Sequence, residues 1–219
     1  MLSSFPKIFT LGDPKISGIF DDSVEVTEKL DGSQFIFGKI NGEVVVRSKG
    51  AKIYPETTDK LFAPAVSHIM SRAHMLPDDI AFYSETLHRP KHSTLAYDKV
   101  PKNHIAVFGA LNTIDGTFIP VDNLRDVCDD LDVDMVPVLY KGKVESQEHV
   151  HALLETVSYL GGQKVEGVVV KNYNKELFLG GNAYAVLSGK YVSEAFKEVH
   201  RGSWKKENTG KGVFETLCE

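Results

Sequence analysis

The chain has 219 residues, 42% of them hydrophobic, and a formal net charge of −5, enough apolar material for one domain whose core needs no disulfide or metal staples. The acidic balance excludes a wholly basic nucleic-acid coat protein but leaves room for a local basic groove. Two cysteines, Cys128 and Cys218, with no C-x-x-C pair argue against a zinc site and imply a reducing compartment such as the cytoplasm; Met1–Lys7 has no leader pattern, and no run nears the ~18 apolar residues of a membrane span.

Ser23–Glu28 reads as a strand. Phe35–Ile40 and Glu43–Arg47 read as a hairpin, because Asn41-Gly42 is the preferred two-residue turn. Leu61, Phe62, Ala65, Val66, Ile69, Met70 and Ala73 recur at helical spacing, which predicts a helix over Thr57–Met75 with Pro64 tolerated near its first turn. Ala81–Leu87 is a short strand, and His88–Asn103 is a polar loop carrying Arg89, Lys91, His92, Lys99 and Lys102. His104–Leu111 is another strand, followed by an Asp115-Gly116 turn. Val121–Leu131 reads as a helix and Met135–Leu139 as a strand; the acids Asp126, Asp129, Asp130, Asp132 and Asp134 read as a solvated helix end and loop. Ser146 can cap a helix with Val150, Leu153, Leu154, Val157 and Leu160 on its apolar face, stopped by Gly161-Gly162. Val165–Lys171 is a β-branched strand, Leu177–Lys190 a further hairpin arm, Val192–Arg201 a helix, and Gly202–Glu219 a polar tail. Strands outnumber helices and are mostly hairpin-linked, so the predicted class is α+β with antiparallel sheets.

Lys29 lies at a strand end in Glu28-Lys29-Leu30-Asp31-Gly32-Ser33. Lysine becomes nucleophilic when desolvation or nearby cations lower its pKa, and Asp31-Gly32 supplies a turn that could aim it into a cleft. Taken alone, K-x-D-G also describes a surface lysine in a turn. Arg47 ends the second hairpin strand, where a guanidinium can grip phosphate or carboxylate bidentately. Glu85 follows an aromatic-rich strand, a costly place for a carboxylate without a partner. Phe108 is a base-stacking ring or a core residue. Glu166 opens a valine-rich strand, which is costly unless the acid is paired or on a metal. Lys171 is five positions on; in a flat strand that odd separation puts the two on opposite faces, so sharing a site requires a bulge or twist. Lys190 closes the following apolar arm and can neutralise a phosphate. No H-E-x-x-H, P-loop or G-x-S-x-G pattern exists.

Together and in order, these segments resemble the covalent nucleotidyltransferase superfamily of ATP-dependent DNA ligases, RNA ligases and mRNA capping enzymes. Lys29–Gly32 matches K-x-D-G, Tyr83-Ser84-Glu85 the third motif, His104–Ala110 the aromatic strand after it, Glu166–Lys171 the pattern E-G-x-V-x-K, and Lys190 the last lysine motif. The resemblance spans about residues 23–198. It is closest to the RNA ligase 2-like group of phage and RNA-editing ligases: Glu28 directly precedes the lysine, Glu-Gly rather than Asp-Gly opens the fourth motif, and only 21 residues follow Glu198, too few for an OB-fold.

The resemblance implies a nucleotidyltransferase (ATP-grasp-like) domain of antiparallel sheets flanked by helices over residues 1–201, with 202–219 as a short tail. It implies that Lys29 takes AMP from ATP as a phosphoramidate and that Glu28 and the Leu30 backbone contact adenine. Gln34 and Glu85 lie near the ribose, Arg47 near ribose or phosphate, and Phe108 stacks on the base. Glu166 helps place Mg²⁺ or Mn²⁺, Lys190 holds the α-phosphate, and Lys171 is a lesser candidate for offsetting phosphate charge. The implied partner is RNA, nicked or with single-stranded ends, bound by a monomer with no membrane. Candidate RNA contacts are the His88–Lys102 loop and the tail residues Lys197, Arg201, Trp204, Lys205 and Lys206. The last motif departs from the family: K-x-K has two lysines, but here Ser188 precedes Lys190 and Val192 follows it, so only one lysine is present. A minimal DNA ligase, a capping-type guanylyltransferase and a nucleotide- or RNA-binding module without catalysis remain open alternatives.

Overall fold

β-branched and aromatic residues dominate the runs that become strands, while glycines and prolines mark the joints. In this computed structural model, which describes residues 2–198 and 200, the strands in chain order are β1 (Phe9–Thr10), β2 (Val24–Lys29), β3 (Ser33–Ile40), β4 (Glu43–Ser48), β5 (Ile80–Thr86), β6 (Ile105–Asn112), β7 (Phe118–Ile119), β8 (Asp134–Met135), β9 (Val138–Gly142), β10 (Gly167–Asn172), β11 (Leu177–Leu179), β12 (Asn182–Tyr184) and β13 (Leu187–Val192). The helices are α1 (Ala63–Ser71), α2 (Arg125–Leu131) and α3 (Gln147–Ala152). The predicted tail, with Arg201, Trp204, Lys205 and Lys206, lies outside the described residues.

One sheet runs β1-β13-β10-β2-β9; a second runs β4-β3-β5-β6-β7, with β8 beside β6. These pairings are antiparallel except β1 with β13 and β6 with β8, which makes the fold the α+β class expected. Behind the second sheet, Phe35, Phe37 and Phe82 pack with Ile69 of α1 and Leu131 of α2. Behind the first, Val24, Val26, Val168 and Val170 pack with Val150 of α3. Two smaller clusters, around Leu30 and Tyr97 and around Phe5 and Tyr83, join the sheets on their facing sides.

The hairpin is as predicted: Ile40 pairs with Glu43 across Asn41 (φ 51°) and Gly42 (φ 79°), the left-handed turn that Asn-Gly favours. Several helices and strands are shorter than their sequence patterns. The helix expected over Thr57–Met75 is α1 between two 3₁₀ turns, Pro55–Thr57 and Ala73–Met75; Pro64, with no N–H to give a preceding carbonyl, marks the start. Past α3 and one 3₁₀ turn the chain leaves the helix, and Val157, expected on its apolar face, is exposed and bridges to Lys164. Pro137 divides the predicted strand Met135–Leu139 into β8 and β9, and the arm Leu177–Lys190 is three strands, β11 and β12 turning at Gly180-Gly181. Val192 ends β13; residues 194–198 are helical. No helix among the described residues is long and apolar enough to cross a membrane.

Candidate active site

Strand alternation puts Glu25, Thr27 and Lys29 of β2 on the side of the first sheet that faces the second. Gly167, Val169 and Lys171 of β10 stand opposite them, and Lys190 and Ser188 of β13 stand opposite Val169 and Lys171. Glu166 precedes β10 and is free of that alternation. Its Oε1 accepts a hydrogen bond from Lys29 Nζ at 2.7 Å. Lys171 therefore shares the face of Lys29 without any bulge in β10, contrary to the odd-separation argument, because Glu166 is not part of the strand. Gly167 is glycine for space: a Cβ there would collide with the Tyr191 carbonyl of β13. Gly32 likewise has no left-handed φ; its Cβ would stand 2.9 Å from the Thr86 carbonyl oxygen of β5.

The second sheet closes the other wall. Gln34 of β3 pairs with Glu85 of β5. In β6, Val107 pairs with Ser84 and Gly109 with Tyr83, so Phe108 is the extra residue of a β-bulge. A bulge re-aims a side chain; here the Phe108 ring lines a pocket together with Glu28, Lys29, Leu30, Gln34, Glu85 and Lys171. These are seven of the ten residues expected from sequence. Glu166 and Lys190 reach the pocket through Lys29, the one by its hydrogen bond and the other by charge. Ile8, Thr27, Val136 and Val169 also line it; as apolar or strand-interior residues they carry no local signal in the sequence.

The site couples its charges. Burial pushes the Glu166 carboxyl up to about 7 against the pull of Lys29, and pushes Glu85 up to about 8. Burial works to lower the Lys29 pKa, but Glu166, Glu85 and Asp31 together hold it above its ordinary value. The Lys190 pKa is lowered by burial and then by the Lys29 ammonium. Among the described residues, Glu166 Oε2, Thr27 Oγ1 and Gln34 Oε1 are buried and without a hydrogen-bond partner, as is Ser188 Oγ, an arrangement suited to a polar ligand. The carboxylate oxygen Glu166 Oε2 suits a hard divalent cation. No group of three or more acidic, histidine or cysteine ligands exists among the described residues, which fits an ion held by one or two protein carboxylates plus phosphate and water oxygens, the usual Mg²⁺ arrangement.

Arg47 departs from expectation. Its guanidinium donates to the carbonyls of Leu2, Ser48 (3.1 Å) and Lys49 (3.3 Å), and it does not line the pocket. With those carbonyls in reach, the guanidinium clamps the N-terminal segment to the turn after β4. Glu28 lines the pocket, but its carboxylate accepts from Ser158 Oγ (2.5 Å) and Tyr159 N (3.2 Å). Sequence reasoning understated Asp31. Its Oδ2 accepts from the backbone amides of Thr94 and Leu95, both at 2.6 Å, while the Asp31 amide donates to Tyr97 Oη at 3.0 Å. His92 Nε2 meets Ser33 Oγ at 2.9 Å. The polar loop after β5 is thus folded down onto the K-x-D-G turn, leaving Arg89, Lys91 and Lys99 exposed, while Lys102 pairs with Asp132.

The RNA ligase family model matches residues 22–192, most of the span over which the motifs occur. Solved structures with the same fold include an RNA ligase of Naegleria gruberi with pyrophosphate, at 20% identity and a TM-score of 0.67, covering 92% of this chain and 61% of that one. A glutamate-to-alanine variant of that ligase with AMP and Mn matches at 20% identity and a TM-score of 0.68, over 91% of this chain and 58% of that one. A lysine-to-alanine variant with ATP and Mn matches at 18% identity and a TM-score of 0.67, over 92% and 60%. The chain spans about three fifths of the length of these structures. No curated protein sequence matches it.

Proposed function

The chain belongs to the RNA ligase family, and we propose that it is an ATP-dependent RNA ligase working through a covalent lysyl-AMP. The observation that carries this reading is the Lys29–Glu166 pair, 2.7 Å apart beside a pocket presenting Gln34, Glu85 and Phe108. Lys29 Nζ attacks the α-phosphorus of ATP; the nitrogen–phosphorus bond forms, the bond to the bridging oxygen breaks, and pyrophosphate leaves with the electron pair. The attacking nitrogen must first shed a proton. Glu166 Oε1, hydrogen-bonded to Nζ at 2.7 Å, is the group placed to take it. Lys190 offsets charge developing on the α-phosphate. Phe108 stacks on the base, Gln34 and Glu85 meet the ribose hydroxyls, and Glu28 and Leu30 border the adenine. Mg²⁺ or Mn²⁺, held through Glu166, would add positive charge at the phosphates.

In the second step a 5′-phosphate oxygen of RNA attacks the lysyl-AMP phosphorus, and the nitrogen–phosphorus bond breaks to return Lys29. A 3′-hydroxyl then attacks the 5′-phosphorus and expels AMP, leaving a phosphodiester. The exposed Arg89, Lys91 and Lys99 of the loop after β5 supply phosphate contacts, so RNA binding weakens as salt rises. The test is incubation with α-labelled ATP and a divalent metal, followed by denaturation. The label stays on the chain, and Lys29→Ala abolishes it. An unlabelled parent, or label that survives Lys29→Ala, overturns the mechanism. Nicked RNA and DNA duplexes run in parallel decide the polynucleotide, with sealing of DNA in preference to RNA pointing to a DNA ligase.

A further inference from the structure

Lys171 is 1% exposed, an extreme position for an ammonium. The protein itself supplies a carbonyl, a carboxylate and a ring around that ammonium. Nζ donates to the backbone carbonyl of Phe108, lies 3.7 Å from Glu25 Oε1, and sits 5.7 Å from the centroid of the Phe108 ring. Glu25 Oε1 in turn accepts the Tyr173 hydroxyl at 2.7 Å. The carbonyl it grips belongs to the extra residue of the β6 bulge, whose local twist decides where the Phe108 ring points. Phe5 meets the same ring edge-on at 5.3 Å from another side.

We propose that Lys171 is a positioning residue: its ammonium pins the bulge that aims the Phe108 ring into the nucleotide pocket, and it does not meet a phosphate. This rests on the pocket being the ATP site. The same arrangement accounts for Ser188, which pairs with Lys171 across β10 and β13 and is fully buried. A second ammonium there would face the first with no further carboxylate between them.

The test is a double-mutant cycle in the full chain, reading ATP affinity by calorimetry and the single-turnover rate of lysyl-AMP formation at saturating ATP. Lys171→Met weakens ATP binding about tenfold and changes the saturating rate by less than about twofold, and Lys171→Arg, which keeps donors toward the carbonyl, recovers part of the affinity. Because Lys171→Met leaves Glu25 buried without its counter-ion, the Glu25→Gln/Lys171→Met double variant is run beside it and shows the same affinity loss in a folded chain. Phe108→Ala removes the ring, and adding Lys171→Met to it costs nothing more. Additive losses, or a fall in the saturating rate with ATP affinity unchanged, overturn the proposal and put Lys171 on the phosphates. A parent chain that binds ATP without being labelled sinks the lysyl-AMP reading, and the affinity cycle then decides the pin. A parent that binds no ATP overturns both.

Discussion

Asp31→Ala should loosen the loop after β5 before it loosens the rest of the molecule. One oxygen of this carboxylate accepts two backbone amides, Thr94 N and Leu95 N, each at 2.6 Å. Alanine leaves both donors without a partner, in a place where the Leu95 amide is buried and the Thr94 amide partly so. An unsatisfied buried donor costs about 1–3 kcal/mol. Discounting the amide that reaches water, the loss is about 3 kcal/mol, and it falls on local closure of residues 88–97 first. Amide exchange at Thr94 and Leu95 should then accelerate by roughly a hundredfold, since about 1.4 kcal/mol is a factor of ten. If the loop does not release independently, the same loss appears globally as a fall in Tm of about 6–12 °C. Hydrogen–deuterium exchange resolved by residue, with thermal unfolding beside it, separates the two. Asp31→Asn keeps an acceptor oxygen and recovers part of the protection. Unchanged exchange at both amides in Asp31→Ala, with unchanged Tm, would refute the clamp and leave Asp31 only its place in the K-x-D-G turn.

Glu85 has a folded-state pKa pushed up to about 8 by burial, above the unfolded carboxylate. The protonated form is therefore favoured by folding, and the chain loses stability as pH rises from about 4.5 through 8. Glu85→Gln should raise Tm clearly at pH 8.5 and by little at pH 4.5, while weakening ATP binding; equal shifts at both pH values would refute the assignment. Ser188→Lys restores the two-lysine pattern but buries an ammonium opposite Lys171, so it should destabilise the chain by about 3 kcal/mol or more without raising the lysyl-AMP yield; a gain in yield at unchanged Tm would contradict this. The His92 pKa is lowered by burial and then by His88, so the neutral ring is the form that folding prefers. Its contribution is present above about pH 6.5 and lost as pH falls. Exchange over residues 88–95, corrected for intrinsic rate, should quicken between pH 7.5 and 5.5, and His92→Gln should flatten that response.

The motif residues were legible because each breaks a local rule. Lys29, Glu85, Glu166 and Lys190 are charges at strand ends or inside apolar runs, and such a charge needs a partner or a ligand. Asn41-Gly42 was legible because only a few residue pairs accept two successive left-handed φ values. What was illegible depends on distant neighbours. Arg47 has the same local sequence whether its guanidinium meets a nucleotide or the Leu2 carbonyl 45 residues away. Helix lengths were overestimated where apolar spacing continued past the end: Val157 fits the stripe of α3 yet belongs to a bridge with Lys164, because a periodic pattern does not report where the hydrogen-bond ladder stops.

From the sequence alone came the α+β class, the order of the ionic motifs and seven of the residues that line the pocket. The class and the charged positions follow from period-two alternation, turn chemistry and the cost of a buried charge, all of which act over a few residues, while Glu28, Leu30 and Gln34 came from the resemblance to the nucleotidyltransferase superfamily. Only the tertiary structure decided which partner each charge meets. Strand register put Lys171 opposite Ser188 and beside Glu25, a one-residue bulge placed Phe108 outside the pairing of β6 with β5, and the start of β10 after Glu166 let that carboxylate swing to Lys29. A shift of one residue in any of these pairings would send the same side chains to the other face of the sheet.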